Sequence, residues 1–201
     1  MTETADTPAS PDAIDRLKTA DLAARCRHLG LSMAEERVVV TFFGIGHTVH
    51  AGTGVLDADG RPPTPAVAEV IAAYLLDAAR VDGGAPHRLV SFREFAGAGP
   101  LVDRFSDNTG KLIATTFSGR MADLLTAAER LFGQPAGGSV AMDLFLAFQA
   151  LPGVPMYLGF NDAEDGLPAQ CQLFFRHTAE SYLGLRHRFA LGTYLAGHLI
   201  H

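Results

Sequence analysis

The sequence predicts an α+β fold, a single domain with an antiparallel sheet and helices packed on it. Apolar residues recur at helical spacing around residues 64–78 and 121–131. Runs of β-branched and aromatic residues lie before and after these segments, without the regular strand–helix alternation of a doubly wound sheet. Because 201 residues of 48% hydrophobic composition can bury one sizeable core, we expect one domain over residues 10–201 after a disordered start at residues 1–9.

The first predicted helix covers residues 10–28, since a serine cap followed by proline opens it and Gly30 follows its end. The next segment, "RVVVTFF", has the composition of a strand. The stretch "TVHAGTGVL", beyond two glycines, is predicted as its hairpin partner or its continuation.

The central part of the chain is predicted to be mainly helical. A threonine cap and Pro65 begin a regular helix to about residue 78. The strand "HRLVSFREF" comes next, and residues 99–117 read as short helical pieces broken at Asn108 and Gly110. The amphipathic helix around residues 121–131 is closed by Gly133.

Three apolar segments after the central helices, 140–150, 154–160 and 169–176, are predicted to form an antiparallel meander. The acidic stretch "NDAEDG" would be its exposed hairpin turn. Because both faces of segment 154–160 are mostly apolar, we expect helix to cover at least one side of it.

The C-terminal segment, residues 178–200, is predicted to be helical, with Gly184 and Gly192 as weak points.

Charge and cysteine content exclude several functions. The 16 basic and 22 acidic residues give a net charge of −6 without a basic block, which argues against a nucleic-acid partner. No signal peptide and no apolar run of about 18 residues is present, so we expect a cytoplasmic protein that does not span a membrane. Cys26 and Cys171 are predicted to be buried small hydrophobes, because neither belongs to a C-x-x-C pair.

Two histidines in "FFGIGHTVHAG" raise the question of a metal site. His47 and His50 are three residues apart, and in a strand of period two they point to opposite faces, so we expect them to share no metal. His198 and His201 lie at the end of the chain, where they would supply only two ligands.

Catalytic and nucleotide-binding motifs are missing from the sequence. It has no G-x-S-x-G, H-E-x-x-H or phosphate loop, so whether the protein is an enzyme stays open and its cofactor is unknown.

The stretch "VSFREF" holds the charges most suggestive of a binding site. As a strand it would place Glu94 on one face and Arg93 on the other, just before the glycine-rich "AGAG", where ligand-orienting groups are common. Arg104 is the nearest donor in sequence for Glu94. We therefore select Arg93, Glu94 and Arg104 as ligand-binding candidates, with a structural ion pair as the alternative.

The ordered pieces "SFREF", "PLVDRF", "ALPGVPMYLGFND", "GLPAQCQLFF" and "SYL" resemble an uncharacterised prokaryotic family, domain of unknown function 3786. The similarity runs from about Val38 to Gly192. It implies an accessory role near corrinoid or redox metabolism, since some relatives are joined to cysteine-rich iron–sulfur segments. Cys26 and Cys171 do not reproduce such a segment, and Phe175 stands at a position that is acidic in the family.

These observations favour a binding or accessory domain for a small molecule, a cofactor or a partner protein. The alternative is a metal-dependent enzyme whose histidine site is assembled by folding. Its candidate ligands are His47, His50, His177 and His187.

Overall fold

The computed structural model describes residues 13–79, 88–137, 142–164 and 166–201. Its helices are α1 (Ala13–Leu17), α2 (Leu22–Leu29), α3 (Pro65–Asp77), α4 (Val102–Asn108), α5 (Gly110–Phe117), α6 (Met121–Arg130), α7 (Ala179–Tyr182) and α8 (Leu185–Ile200). Its strands are β1 (Met33–Ala34), β2 (Arg37–Phe42), β3 (Ile45–His50), β4 (Gly54–Leu56), β5 (Leu89–Ser91), β6 (Gln134–Pro135), β7 (Leu144–Leu151), β8 (Val154–Asn161) and β9 (Gln170–Arg176).

The strands form two antiparallel sheets, and the α+β prediction is confirmed. Sheet 1 has the order β1-β2-β3-β4, and sheet 2 has the order β5-β9-β8-β7-β6. The predicted hairpin of "RVVVTFF" is confirmed by the pairing of β2 with β3, whose register is continuous from Arg37 opposite His50 to Phe42 opposite Ile45. The predicted meander is confirmed as β7, β8 and β9.

The N-terminal helix differs from its prediction, because it is interrupted. A turn after Leu17 separates α1 from α2, and Asp21 caps α2 by accepting a hydrogen bond from the N–H of Ala24 at 2.9 Å. The end before Gly30 is as predicted, and that glycine has the left-handed φ of 71° that a helix C-terminus favours. The expected disordered start and the serine–proline cap lie outside the described residues.

The central helices agree with the sequence. Helix α3 begins at Pro65, and the break expected between Asn108 and Gly110 separates α4 from α5. Helix α6 ends at Arg130, and the N–H of Gly133 closes it by donating to the carbonyl of Ala128 at 2.9 Å.

The strand predicted over "HRLVSFREF" is wrong in its second half. Strand β5 ends at Ser91, and Phe92–Glu94 form a 3-10 turn. Ser91 and Glu94 make a reciprocal capping box, in which each side chain binds the backbone N–H at the other end of the turn. This local pairing overrides the strand pattern, so the expected alternation of Arg93 and Glu94 does not apply.

The C-terminal helix is broken at only one of the two expected positions. Gly184 separates α7 from α8, whereas α8 continues through Gly192. The turn "NDAEDG" lies between β8 and β9 as predicted; Ala163 and Glu164 are exposed there, and Asp165 lies outside the described residues.

One hydrophobic core includes side chains from both sheets and from most of the helices. Its centre is rich in aromatic rings. Phe92 stacks on Phe105 with ring centroids 4.1 Å apart, and Phe105 also contacts Phe175 and Phe189. The inner face of β8 is buried, as its apolar pattern required.

Candidate functional site

A cavity of about 270 Å³ lies beside β9, where β5 ends early. Strand β5 pairs with β9 only at Phe174, Phe175 and Arg176, because the chain turns into the 3-10 helix after Ser91. The edge of β9 from Cys171 to Leu173 therefore has no strand partner from β5. Helices α4 and α5 cover that edge instead, and the space between them and the strand is the cavity.

The junction of α4 and α5 fixes the shape of this cavity. Thr109 is buried there, and its hydroxyl donates to the carbonyl of Phe105 at 2.6 Å. Gly110 opens α5 against the strand, since a Cβ at this position would lie 2.3 Å from the carbonyl oxygen of Cys171. Only glycine allows the helix to approach the strand so closely.

The cavity wall combines apolar and neutral polar groups. Its apolar side is formed by Phe92, Val102, Phe105 and Leu173. Its polar side includes Ser91, Ser106, Thr109 and Cys171. Burial raises the pKa of the Cys171 thiol, so this group stays uncharged at neutral pH.

Among the residues that line the cavity, Arg93 carries the charge. The side chain is exposed, and among the described residues no carboxylate lies within ion-pair distance of its guanidinium. The cavity mouth therefore carries a positive charge that the described part of the protein does not neutralise.

Glu94 fixes the turn that carries the cavity residues Ser91 and Arg93. Its Oε1 accepts hydrogen bonds from the N–H of Ser91 at 2.7 Å and from the Ser91 hydroxyl at 3.2 Å. Its Oε2 accepts from Arg88 at 2.9 Å. The bond from the Ser91 N–H is the main cause that lowers the pKa of Glu94, and the Ser91 hydroxyl and Arg88 add to it. The observed basic partner is thus Arg88, and Arg104, which the sequence suggested, is not that partner.

Arg104 lies on α4 but outside the cavity lining. Its guanidinium sits 5.9 Å from the ring centroid of Phe189. Of the three residues expected at a binding site, Arg93 lines the cavity, Glu94 holds the turn that carries it, and Arg104 faces a different surface. A ligand contact by any of them stays a prediction.

Sequence reasoning did not select Ser106, Thr109 or Cys171 for this site. The break at Asn108–Gly110 was recognised in the sequence, but nothing in it indicated that the break would pack on the edge of β9. Cys171 was expected to be buried, and it is instead only partly buried, at the cavity wall.

The histidines that the structure describes do not gather into a metal site. His47 is buried, and its Nδ1 lies 3.1 Å from the carbonyl oxygen of Ile45, whereas Nδ1 of His50 accepts from the N–H of Gly52 at 3.0 Å. The unbroken register of β2 and β3 places these two side chains on opposite faces, as predicted. Within the described ranges, no group of three or more histidine, cysteine, aspartate or glutamate residues could hold a metal ion.

Comparisons with known proteins identify one relationship. The family model "Domain of unknown function (DUF3786)" matches residues 21–198. No curated protein and no solved structure matches the chain. Across the described residues, no helix is both long and apolar enough to cross a membrane.

Proposed function

Because the chain belongs to the DUF3786 family, whose description assigns no activity, we propose a function from its cavity: the protein is a binding domain for a small anionic molecule with a compact apolar body. One observation carries this proposal. Arg93 has no carboxylate partner among the described residues, and it lies at the mouth of a cavity whose other described lining groups are uncharged.

The charge distribution around the cavity favours an anion. Of the carboxylates next in sequence to lining residues, Glu94 and Asp107 are already paired, with Arg88 at 2.9 Å and with Lys111 at 2.6 Å, and Asp103 is exposed to solvent. A carboxylate in the ligand would meet Arg93 in a charge-assisted hydrogen bond, which is stronger than one between neutral groups. The neutral thiol of Cys171 adds no opposing charge.

The size and apolar side of the cavity favour a short aliphatic acid. Its volume of about 270 Å³ is slightly below that of typical ligand pockets, which span about 300–1,000 Å³, so it suits a small ligand. The stacked rings of Phe92 and Phe105 form a firm apolar wall. A branched chain of a few carbons would fill this space while its acid group stays at the mouth.

The turn that presents Arg93 is held by its own hydrogen bonds. The capping box fixes Ser91 and Glu94, and Phe92 is buried between them. Preorganisation of this kind lowers the entropy cost of binding. The accessory role near corrinoid or redox metabolism that the family resemblance implies remains a prediction, and binding of a small acid is compatible with it.

The test uses isocaproate as the probe and its neutral amide, isocaproamide, as the matched ligand. We expect isocaproate to bind in calorimetry and to raise the melting temperature, because a ligand of the folded state stabilises it. Isocaproamide should bind about tenfold more weakly or not at all, since it lacks the charge that Arg93 recognises.

Two arginine variants test whether isocaproate binds at the cavity of Arg93. Arg93→Gln should lower the affinity of the protein for isocaproate by about tenfold. Arg104→Gln removes the same charge from α4 outside the cavity and should have little effect. An equal loss of isocaproate affinity in both variants would mean that binding depends on the overall electrostatic potential of the protein and not on Arg93. No binding to the wild-type protein would refute the proposal.

A further inference from the structure

A second cavity, of about 340 Å³, lies on the face of sheet 2 that carries the aromatic residues Phe145, Tyr157 and Phe174. One row of cross-strand neighbours explains it, since Gln134 pairs with Ala147, and Ala147 pairs with Tyr157. The small alanine between two long side chains leaves a depression.

The walls of this depression can orient a ligand. Tyr157 is fixed by parallel stacking on Phe145, with centroids 5.8 Å apart. Arg176 lies beside it, with its Nε donating to the Tyr157 hydroxyl at 3.3 Å. In the described part of the chain, no carboxylate lies within ion-pair distance of Arg176. The amides of Gln134 and Gln149 complete the polar lining.

Phe132, at the rim of the cavity, has a backbone conformation that side chains of its type rarely adopt. Its φ is 56°, in the left-handed region where glycine usually ends a helix, and its side chain is 60% exposed. The following Gly133 cannot carry a side chain, because a Cβ there would lie 2.5 Å from the ring of Phe148. The Phe132 ring packs on Gly44 in the turn between β2 and β3, but most of the side chain stays exposed to solvent. Backbone strain of this kind concentrates at ligand sites.

We propose that this second cavity is a binding site for a planar aromatic carboxylate, whose ring lies against Phe132 and whose acid group meets Arg176. The site is separate from the cavity at Arg93, where the apolar wall suits an aliphatic body. Gln134 and Gln149 provide donors and acceptors for polar substituents on the edge of the ring.

The experiment compares three probes of similar size on the wild-type protein by NMR titration. Benzoate carries both the ring and the charge, benzamide lacks the charge, and cyclohexanecarboxylate lacks the aromatic ring. We expect benzoate to bind about tenfold more tightly than either of the others. The amide signals that shift should include those of Ala147 and Gln149.

Three variants separate a binding role from a structural one. Phe132→Gly should reduce benzoate affinity and change the melting temperature little, because the relief of backbone strain offsets the lost contact with Gly44. Arg176→Gln should also reduce affinity, whereas Arg104→Gln, which removes the same charge outside both cavities, should not. Undiminished benzoate binding in Phe132→Gly and Arg176→Gln, equal affinity for the three probes, or no binding at all would overturn the proposal.

Discussion

His187 shows how one residue links ionisation to stability. Burial is the main cause that lowers the pKa of His187 to about 4, and the charge of Arg186 adds to it. Nε of Arg186 donates to Nε2 of His187 at 3.1 Å, which requires the neutral ring. Glu69 lies 3.5 Å from the same nitrogen, but it is paired with Arg186, so it does little to favour the protonated ring.

We expect this histidine to make the protein less stable in mild acid. The unfolded chain takes up the proton near pH 6.5, whereas the folded protein does so only near pH 4. The contribution of the neutral ring is therefore complete above about pH 6.5 and is lost as the pH falls towards 4, by at most about 3 kcal/mol. Urea unfolding across this range should show the slope, and His187→Gln should reduce it. An unchanged slope in the variant would assign the effect to other groups.

Arg93 and Glu94 show what the sequence can predict of a site at the scale of single residues. Their position at the end of a strand drew attention to them, and Arg93 lines a cavity, but a ligand contact by either residue stays a prediction. Their roles could not be read from alternation, because a capping box between Ser91 and Glu94 replaces the strand with a turn. The rest of the cavity, such as Thr109 and Cys171, depends on tertiary packing that no local pattern encodes.

At the scale of an element, α8 contains two glycines with different environments. A Cβ on Gly192 would lie 2.4 Å from the ring of Phe105, and that ring is stacked on Phe92. A Cβ on Gly197 would meet no atom within 4 Å. Gly192 is thus a point of close contact between helices, whereas Gly197 only lowers the helix propensity.

The two alanine substitutions should therefore have opposite effects. Gly192→Ala should lower the free energy of unfolding by about 1–3 kcal/mol, because the added methyl group would displace Phe105 from its stacking on Phe92. Gly197→Ala should raise it by about 0.5–1 kcal/mol. Chemical denaturation of both variants measures the difference. If Gly192→Ala were more stable than the wild type, Phe105 would have to shift away from the added methyl group at little cost.

Long elements, in which apolar residues repeat at regular helical or strand spacing, were predicted reliably. Short elements were not. Helix α3 and the β7–β9 meander follow from apolar spacing over many residues. The restart of the helix after the turn at Leu17 is accompanied by one side-chain cap from Asp21, and the 3-10 turn after Ser91 by the reciprocal capping box of Ser91 and Glu94. These hydrogen bonds involve only three or four residues, which is too short a segment for periodicity to detect.

Sheet 1, sheet 2 and α8 meet at one aromatic junction. Phe42 and Phe43, at the end of β2, pack on Tyr194 of α8 with ring centroids 4.7 and 5.1 Å away. The N–H of Phe43 donates to the carbonyl of Ala150 in β7 at 3.0 Å. The sequence could not predict this junction, because it joins segments more than 100 residues apart through tertiary contacts that no local pattern indicates.

We expect the two sheets to unfold as one unit, because they share this junction and a continuous core. Phe43→Ala removes a fully buried ring and should lower the free energy of unfolding by about 3–5 kcal/mol. Native-state hydrogen exchange can follow the amides of Val49 in sheet 1 and Leu158 in sheet 2. Both amides should lose the same protection free energy in the variant, because each exchanges through global unfolding. A loss confined to Val49 would show instead that sheet 1 opens while sheet 2 stays folded, and the protein would then consist of two folding units.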